Sequence, residues 1–167
     1  MRNFGLLTVF CFQACTLAVH AQDRSEYIHW DAASLQAFHD QLTKQLSDDP
    51  DSGLAFTDAL PRSDARRHYV QVIHRSGYSR PEIHPEITDV YVILGGSGTL
   101  IVGGERVDWV EGQPRESQTP RIDGGQRFQV AKGDIINVPF GTWHQTVLEP
   151  GESVTYAIIK VIEEQDD

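Results

Sequence analysis

Cysteine is almost missing from the chain: there are two in 167 residues, Cys11 and Cys15, and both lie within the first 21 positions. From residue 22 onward no disulfide can staple the fold, and no thiolate can act as nucleophile or metal ligand. Positive charge is also short, with 14 Lys and Arg against 24 Asp and Glu and a net charge of −10. Such an excess repels phosphate backbones and anionic membranes, which argues against nucleic acid as a partner. There is no phosphate-binding P-loop and no Gly-x-Ser-x-Gly elbow. No internal repeat and no low-complexity tract interrupts the chain. Its longest apolar run, positions 4–18, falls short of the roughly 20 residues that a membrane span needs.

That run is better explained as a leader. Arg2 supplies a positive start, positions 4–18 an apolar middle, and Val19-His20-Ala21 a small-residue cleavage site. Residues 1–21 therefore read as a signal peptide, and the protein is expected to be exported, periplasmic or extracellular, with no membrane attachment after cleavage. Of the charged residues only Arg2 lies in the leader, so the chain from Gln22 onward carries a net charge of −11.

Residues 22–64 read as a helix with an irregular lead-in. Leu35, Phe38 and Leu42 recur at i, i+3 and i+7, and Leu46 continues the stripe; Asp31 or Ser34 can cap the start. This predicts an amphipathic helix over about 31–45, packed against the outside of a β structure, with His39 a solvated surface residue. Pro50, among Asp48, Asp49 and Asp51, breaks the helix. Leu54, Ala55, Phe56 and Leu60 read as isolated apolar contacts in an irregular stretch.

From residue 65 to 167 the pattern is one of short β segments: 67–74, 89–94, 99–102, 106–110, 127–130, 134–138, 145–148 and 153–162. Gly95-Gly96, Gly103-Gly104, Gly124-Gly125 and Pro150-Gly151 punctuate them. Many short strands with Gly-rich turns predict an all-β domain, an antiparallel sandwich or barrel. The polar stretch 113–123, with Pro114 and Pro120, reads as an inserted loop or ragged hairpin near the barrel mouth.

Two stretches carry the chemistry. The first in importance is Gly133-Asp134-Ile135-Ile136-Asn137-Val138-Pro139-Phe140-Gly141-Thr142-Trp143-His144. Pro139 cannot donate to a ladder and ends the strand, Gly141 permits a tight reversal, and His144 opens the next strand. The spacing glycine, five residues, proline, one, glycine, two, histidine resembles the second motif of the cupin family. The stretch from Glu82 to Gly96 resembles the first cupin motif, counted back from Gly96 through Asp89 and His84 to Glu82. Where the family has His-x-His and Glu, this chain offers Glu82-x-His84 and Asp89. Two further departures are the four residues between Gly77 and Glu82, where the family has five, and Leu148, where asparagine is common.

The resemblance implies a jelly-roll β-barrel, with Glu82, His84, Asp89 and His144 around one divalent transition metal. Two imidazoles and two carboxylates suit Mn, Fe or Zn better than soft Cu(I). Asp89, one methylene shorter than Glu, reaches such an ion less directly. A rival register uses His84 and Glu86, and a metal-free core of mutually hydrogen-bonded polar residues is the alternative to both. Inward carboxylates without a cation would be buried charge, which favours the metal. His68 and His74 share one face of the first strand, where they line the cavity or simply pack. Tyr91 reads as core before cavity donor, Trp143 as a cover for the outer face of the sheet, and Lys160 as solvated in preference to pointing inward from the last strand.

The family includes dioxygenases, isomerases and decarboxylases as well as non-enzymatic binding proteins, so the fold does not select the reaction. Two functions are expected: a metal-dependent enzyme acting on a small polar molecule, of dioxygenase, isomerase or lyase type, or a non-catalytic small-molecule-binding module using the same cavity. Cupins commonly pair into dimers through outer strands, so the resemblance implies that a homodimer is possible, while the N-terminal helix could instead cover an edge.

Overall fold

A computed structural model describes residues 27–163, so the leader expected at 1–21 lies outside the described residues. Among the described residues one α-helix, α1 (Ala32–Asp48), precedes nine strands. Asp31 caps the helix by accepting a 2.8 Å hydrogen bond from the Ser34 amide. Leu42 and Leu46 are buried against Ala55 and Val72, with Phe38 and Ala157 packed beside them, so the expected apolar stripe seats α1 on the outside of the sheet.

The strands are β1 (Leu54–Leu60), β2 (His68–Ser76), β3 (Ile87–Val102), β4 (Glu105–Val107), β5 (Arg121–Asp123), β6 (Gln126–Ala131), β7 (Ile135–Val138), β8 (His144–Val147) and β9 (Ser153–Ile162). Pairing is antiparallel throughout. One sheet runs β1-β2-β9 and continues through the first half of β3 to β7. The second half of β3 lies between β6 and β8. The architecture is all-β, of the jelly-roll class, although among the described residues the two sheets do not close into a continuous barrel.

Strand β3 passes from one sheet to the other at Gly95-Gly96, where its register against β9 shifts between Ile93 and Gly95. Gly96 has φ +72°, and a Cβ there would lie 2.0 Å from the Ser153 carbonyl oxygen. The glycine pair thus bends a continuous strand at a bulge; the sequence suggested a turn between two strands. Strand β1 is a second difference, since Leu54–Leu60 is not irregular but pairs with β2 along its length. Within the 113–123 stretch, β5 pairs with β4 to form a short ribbon.

Between the sheets, Ile73, Tyr91, Ile93, Leu100, Val130, Val138, Tyr156 and Ile158 form the interior. Side chains alternate across a strand, so the parity that sends Tyr91 and Ile93 inward also sends Asp89 inward from β3. The same rule carries Lys160 inward with Tyr156 and Ile158 on β9, opposite Asp89 in register.

Candidate metal centre

The backbone brings the two motifs together. Glu82 and His144 form an antiparallel bridge, each donating its amide to the other's carbonyl at 2.9 Å. The Gly141 amide donates to the His84 carbonyl at 2.7 Å, so the 82–84 segment lies along the Pro-x-Gly turn. Two residues distant in sequence are thereby held side by side before any side-chain contact is considered.

Glu82, His84 and His144 each present one ligand atom, and these atoms lie within 4.8 Å of one another. His144 is 3 % exposed. Its Nδ1 lies 3.1 Å from the Thr142 carbonyl. A carbonyl can only accept, so Nδ1 carries the proton and Nε2 is left with a free lone pair. That Nε2 is buried and makes no hydrogen bond. Burial also holds the His144 pKa below the ordinary histidine value, keeping the ring neutral. A neutral imidazole, oriented by its other nitrogen and with an orphaned lone pair facing two further donors, is a fitting ligand for a divalent ion.

Asp89 is arranged differently. Both of its oxygens lie 2.9 Å from Lys160 Nζ, and the carboxylate is 1 % exposed. His144 Nε2 lies 3.5 Å away from Asp89 Oδ2. Lys160 is therefore not solvated: it is 7 % exposed and occupies the site. Arg75 does the same for Glu82, with its Nη2 3.1 Å from Oε1 and its Nε donating to the Tyr156 hydroxyl at 2.8 Å. Burial would raise the Glu82 carboxyl, but His84 and Arg75 outweigh it and its pKa falls to about 2. Two carboxylates face two cations, so the site needs no metal for charge balance, and the case for one rests on the donor geometry.

His84 Nε2 lies between two demands. The Asp89 and Glu82 carboxylates, at 3.4 and 3.6 Å, pull its pKa up to about 9. Lys160 Nζ, at 3.1 Å, asks for a lone pair on the same atom. Only the ammonium contact is of hydrogen-bond length, and it is the one that suits a neutral ring. A cation held by His84 Nε2 would take the lone pair that Lys160 Nζ now meets at 3.1 Å.

A cavity of about 290 Å³ reaches this cluster, lined by Arg75, Glu82, His84, Tyr91, Tyr156 and Lys160 among others. A second hollow of about 640 Å³ opens on Glu82 and His84 from the side of Trp109 and Trp143. A third, about 560 Å³, lies between residues 76–79 and 145–153, where no histidine contributes to the lining. Glu86, the rival ligand, sits exposed in the turn before β3. His68 is exposed, and His74 faces α1 rather than the cavity, its Nδ1 2.7 Å from Thr155 Oγ1. Trp143 flanks the second hollow, where it stacks on Arg106.

Sequence reasoning missed Arg75 and misplaced Lys160. The signal for both was strand parity. Arg75 shares the inward parity of Ile73 on β2, and Lys160 that of Ile158 on β9.

No family model matches the chain, and no curated protein is similar to it at a significant level. Solved structures are. A cupin-2 domain from Rhodospirillum rubrum is 16% identical, with 68% of this chain and 63% of that one covered and a TM-score of 0.48. A cupin 2 conserved barrel domain protein from Rhodopseudomonas palustris is 21% identical over 68% and 63% of the two chains, TM-score 0.46. A DMSP lyase from Ruegeria pomeroyi is 18% identical over 72% and 52%, TM-score 0.46. The chain thus spans about three fifths or less of these proteins. Cupin domains recur among the neighbours, the family whose motifs the sequence resembles.

Proposed function

We propose that this chain is a cupin-type metalloprotein acting on a small polar molecule, with Glu82, His84 and His144 holding one divalent Mn, Fe or Zn. The observation that carries this is the buried, unpartnered Nε2 of His144, aimed with its lone pair at a site shared with Glu82 and His84. Two imidazoles and a carboxylate form a donor set that leaves coordination positions open. A bound ion supplies Lewis-acid polarisation of a substrate oxygen or of water. The protein's own groups do the rest. Asp89 takes part through Lys160 and less directly through the ion, Lys160 offers a proton donor facing the 290 Å³ cavity, and Arg75 fixes the Glu82 carboxylate.

A second reading is favoured by the Lys160–Asp89 and Arg75–Glu82 pairs, which neutralise the site internally. On that reading the cavity binds a small polar ligand without metal or turnover. Metal content separates the two. Protein purified without tag or chelator should carry close to one divalent ion per chain. His144→Ala should remove most of it, while Glu86→Ala, on the exposed turn, should leave it unchanged. Wild type that stays empty after refolding with Mn, Fe and Zn in turn leaves only the binding module.

A further inference from the structure

The hollow beside Glu82 and His84 carries a charge opposite to that of the chain. Across a protein of net charge −10, Arg80, Arg106 and Arg115 converge on this one groove, together with Trp109 and Trp143. Glu82 is the acidic residue in its lining, and it already faces Arg75. Glu111 stands at the rim, 85 % exposed, accepting from Trp109 Nε1 at 2.7 Å and lying 3.9 Å from Arg106 Nη2.

The groove is also built to hold these groups still. The Arg106 guanidinium lies 4.6 Å from the Trp109 ring centroid and 5.0 Å from that of Trp143, so indoles from two separate segments steady it. Such stacking leaves the edge of the fork, which meets only the exposed Glu111 at 3.9 Å, available for planar, two-point contact with an oxyanion. The loop that carries Trp109 and Arg115 is pinned by the buried Gln118 side chain, which accepts from the Val110 amide at 2.7 Å and donates to the carbonyls of Val110 and Gln113. Arg80 donates through Nη2 to the Arg115 carbonyl at 2.8 Å, while its Nε is buried and has no hydrogen-bond partner. An unpartnered buried guanidinium N–H beside two more arginines is an oxyanion site in want of its oxygens.

We infer that this groove takes the carboxylate or phosphate of a small anionic substrate, gripped by Arg80, Arg106 and Arg115 with its other end presented to Glu82, His84 and His144. As a statement of substrate class this rests on the metal-site reading above. The volume of about 640 Å³ suits a small molecule. The anion's charge offsets the three arginines that line the groove.

The test is a titration of the protein as purified with benzoate, oxalate and inorganic phosphate, followed by tryptophan fluorescence. Two of the three tryptophans, Trp109 and Trp143, line the groove. At least one anion should give saturable quenching at millimolar concentration or below, and benzamide, the neutral counterpart of benzoate, should bind at least about tenfold more weakly than benzoate if benzoate binds. Which of carboxylate and phosphate binds more tightly identifies the head group. Arg80→Ala and Arg115→Ala should each weaken the favoured anion by about tenfold, whereas Glu111→Gln should not weaken it. Arg115 is exposed, so its variant keeps the test alive even if Arg80→Ala folds poorly. Absence of saturable binding by all three anions, equal binding of benzamide and benzoate, or indifference to both arginine variants overturns the inference. Metal is measured on the same samples. Metal without anion binding removes the groove and leaves the metal centre; anion binding to protein that takes no metal does the reverse.

Discussion

Asp89 is 1 % exposed, and each of its oxygens lies 2.9 Å from Lys160 Nζ. Removing one partner of a buried ion pair leaves the other as uncompensated charge in a poor solvent, at a cost of roughly 3–5 kcal/mol. Lys160→Met is therefore expected to lower unfolding stability by about that much, read by chemical denaturation. Lys160→Met combined with Asp89→Asn should recover most of the loss, because the stranded charge is gone. A single variant within error of wild type would mean that Lys160 is not what compensates Asp89. At this scale the sequence was legible where a motif carried the residue: Glu82, His84, Asp89 and His144 all reach one site. Lys160 and Arg75 belong to no motif. A strand lysine is usually solvated, and its inward parity becomes informative only when the acidic partner opposite it in register is known.

Helix α1 was legible because its stripe has the helical period and because Asp31 and Ser34 cap it. Strand β1 was not. Leu54, Ala55, Phe56 and Leu60 give no clean alternation, since β1 is an edge strand whose cavity-side face carries a half-exposed Phe56 and an exposed Asp58. His39 was equally obscure: it leaves the solvated face and places Nδ1 2.6 Å from Thr155 Oγ1, the hydroxyl that also meets His74. One hydroxyl hydrogen serves two rings, so one imidazole donates to the oxygen and the other accepts from it, an arrangement that suits two neutral histidines. Burial, with His39 as a second cause, holds the His74 pKa below 6.5. The unfolded chain then binds more protons than the folded one in the window below pH 6.5. This contribution to stability is complete above that pH and falls as the solution is acidified toward the folded pKa. His144, also held neutral by burial, titrates in the same direction. The expectation is a loss of stability between about pH 6.5 and 5 that is smaller in His74→Asn than in wild type. Denaturant midpoints across that range decide it, and identical slopes in the two proteins would remove His74 from the account.

The antiparallel all-β architecture was legible in the whole molecule from short strands and glycine turns, and the way the sheets join was not. Glycine marks a turn and a strand bend alike, so Gly95-Gly96 suggested two strands where the fold has one long β3 serving both sheets. Turn chemistry depends on neighbours such as Ser153, which sits against Gly96 from a strand more than fifty residues later. The leader belongs to this scale as well. The two apolar clusters draw on residues from Phe38 to Ile158, and both cysteines lie before residue 22. We propose export with cleavage after Ala21, so the working protein begins at Gln22 and holds together on packing alone. A chain of residues 22–167 should then melt at the same temperature as exported, processed protein, and a thiol reductant should not shift that temperature, because no cysteine remains to be reduced. Mass spectrometry of the exported protein supplies the other half of the test. A mass that still includes the Arg2 segment, or a 22–167 chain that melts clearly lower, would show that the first 21 residues belong to the working molecule.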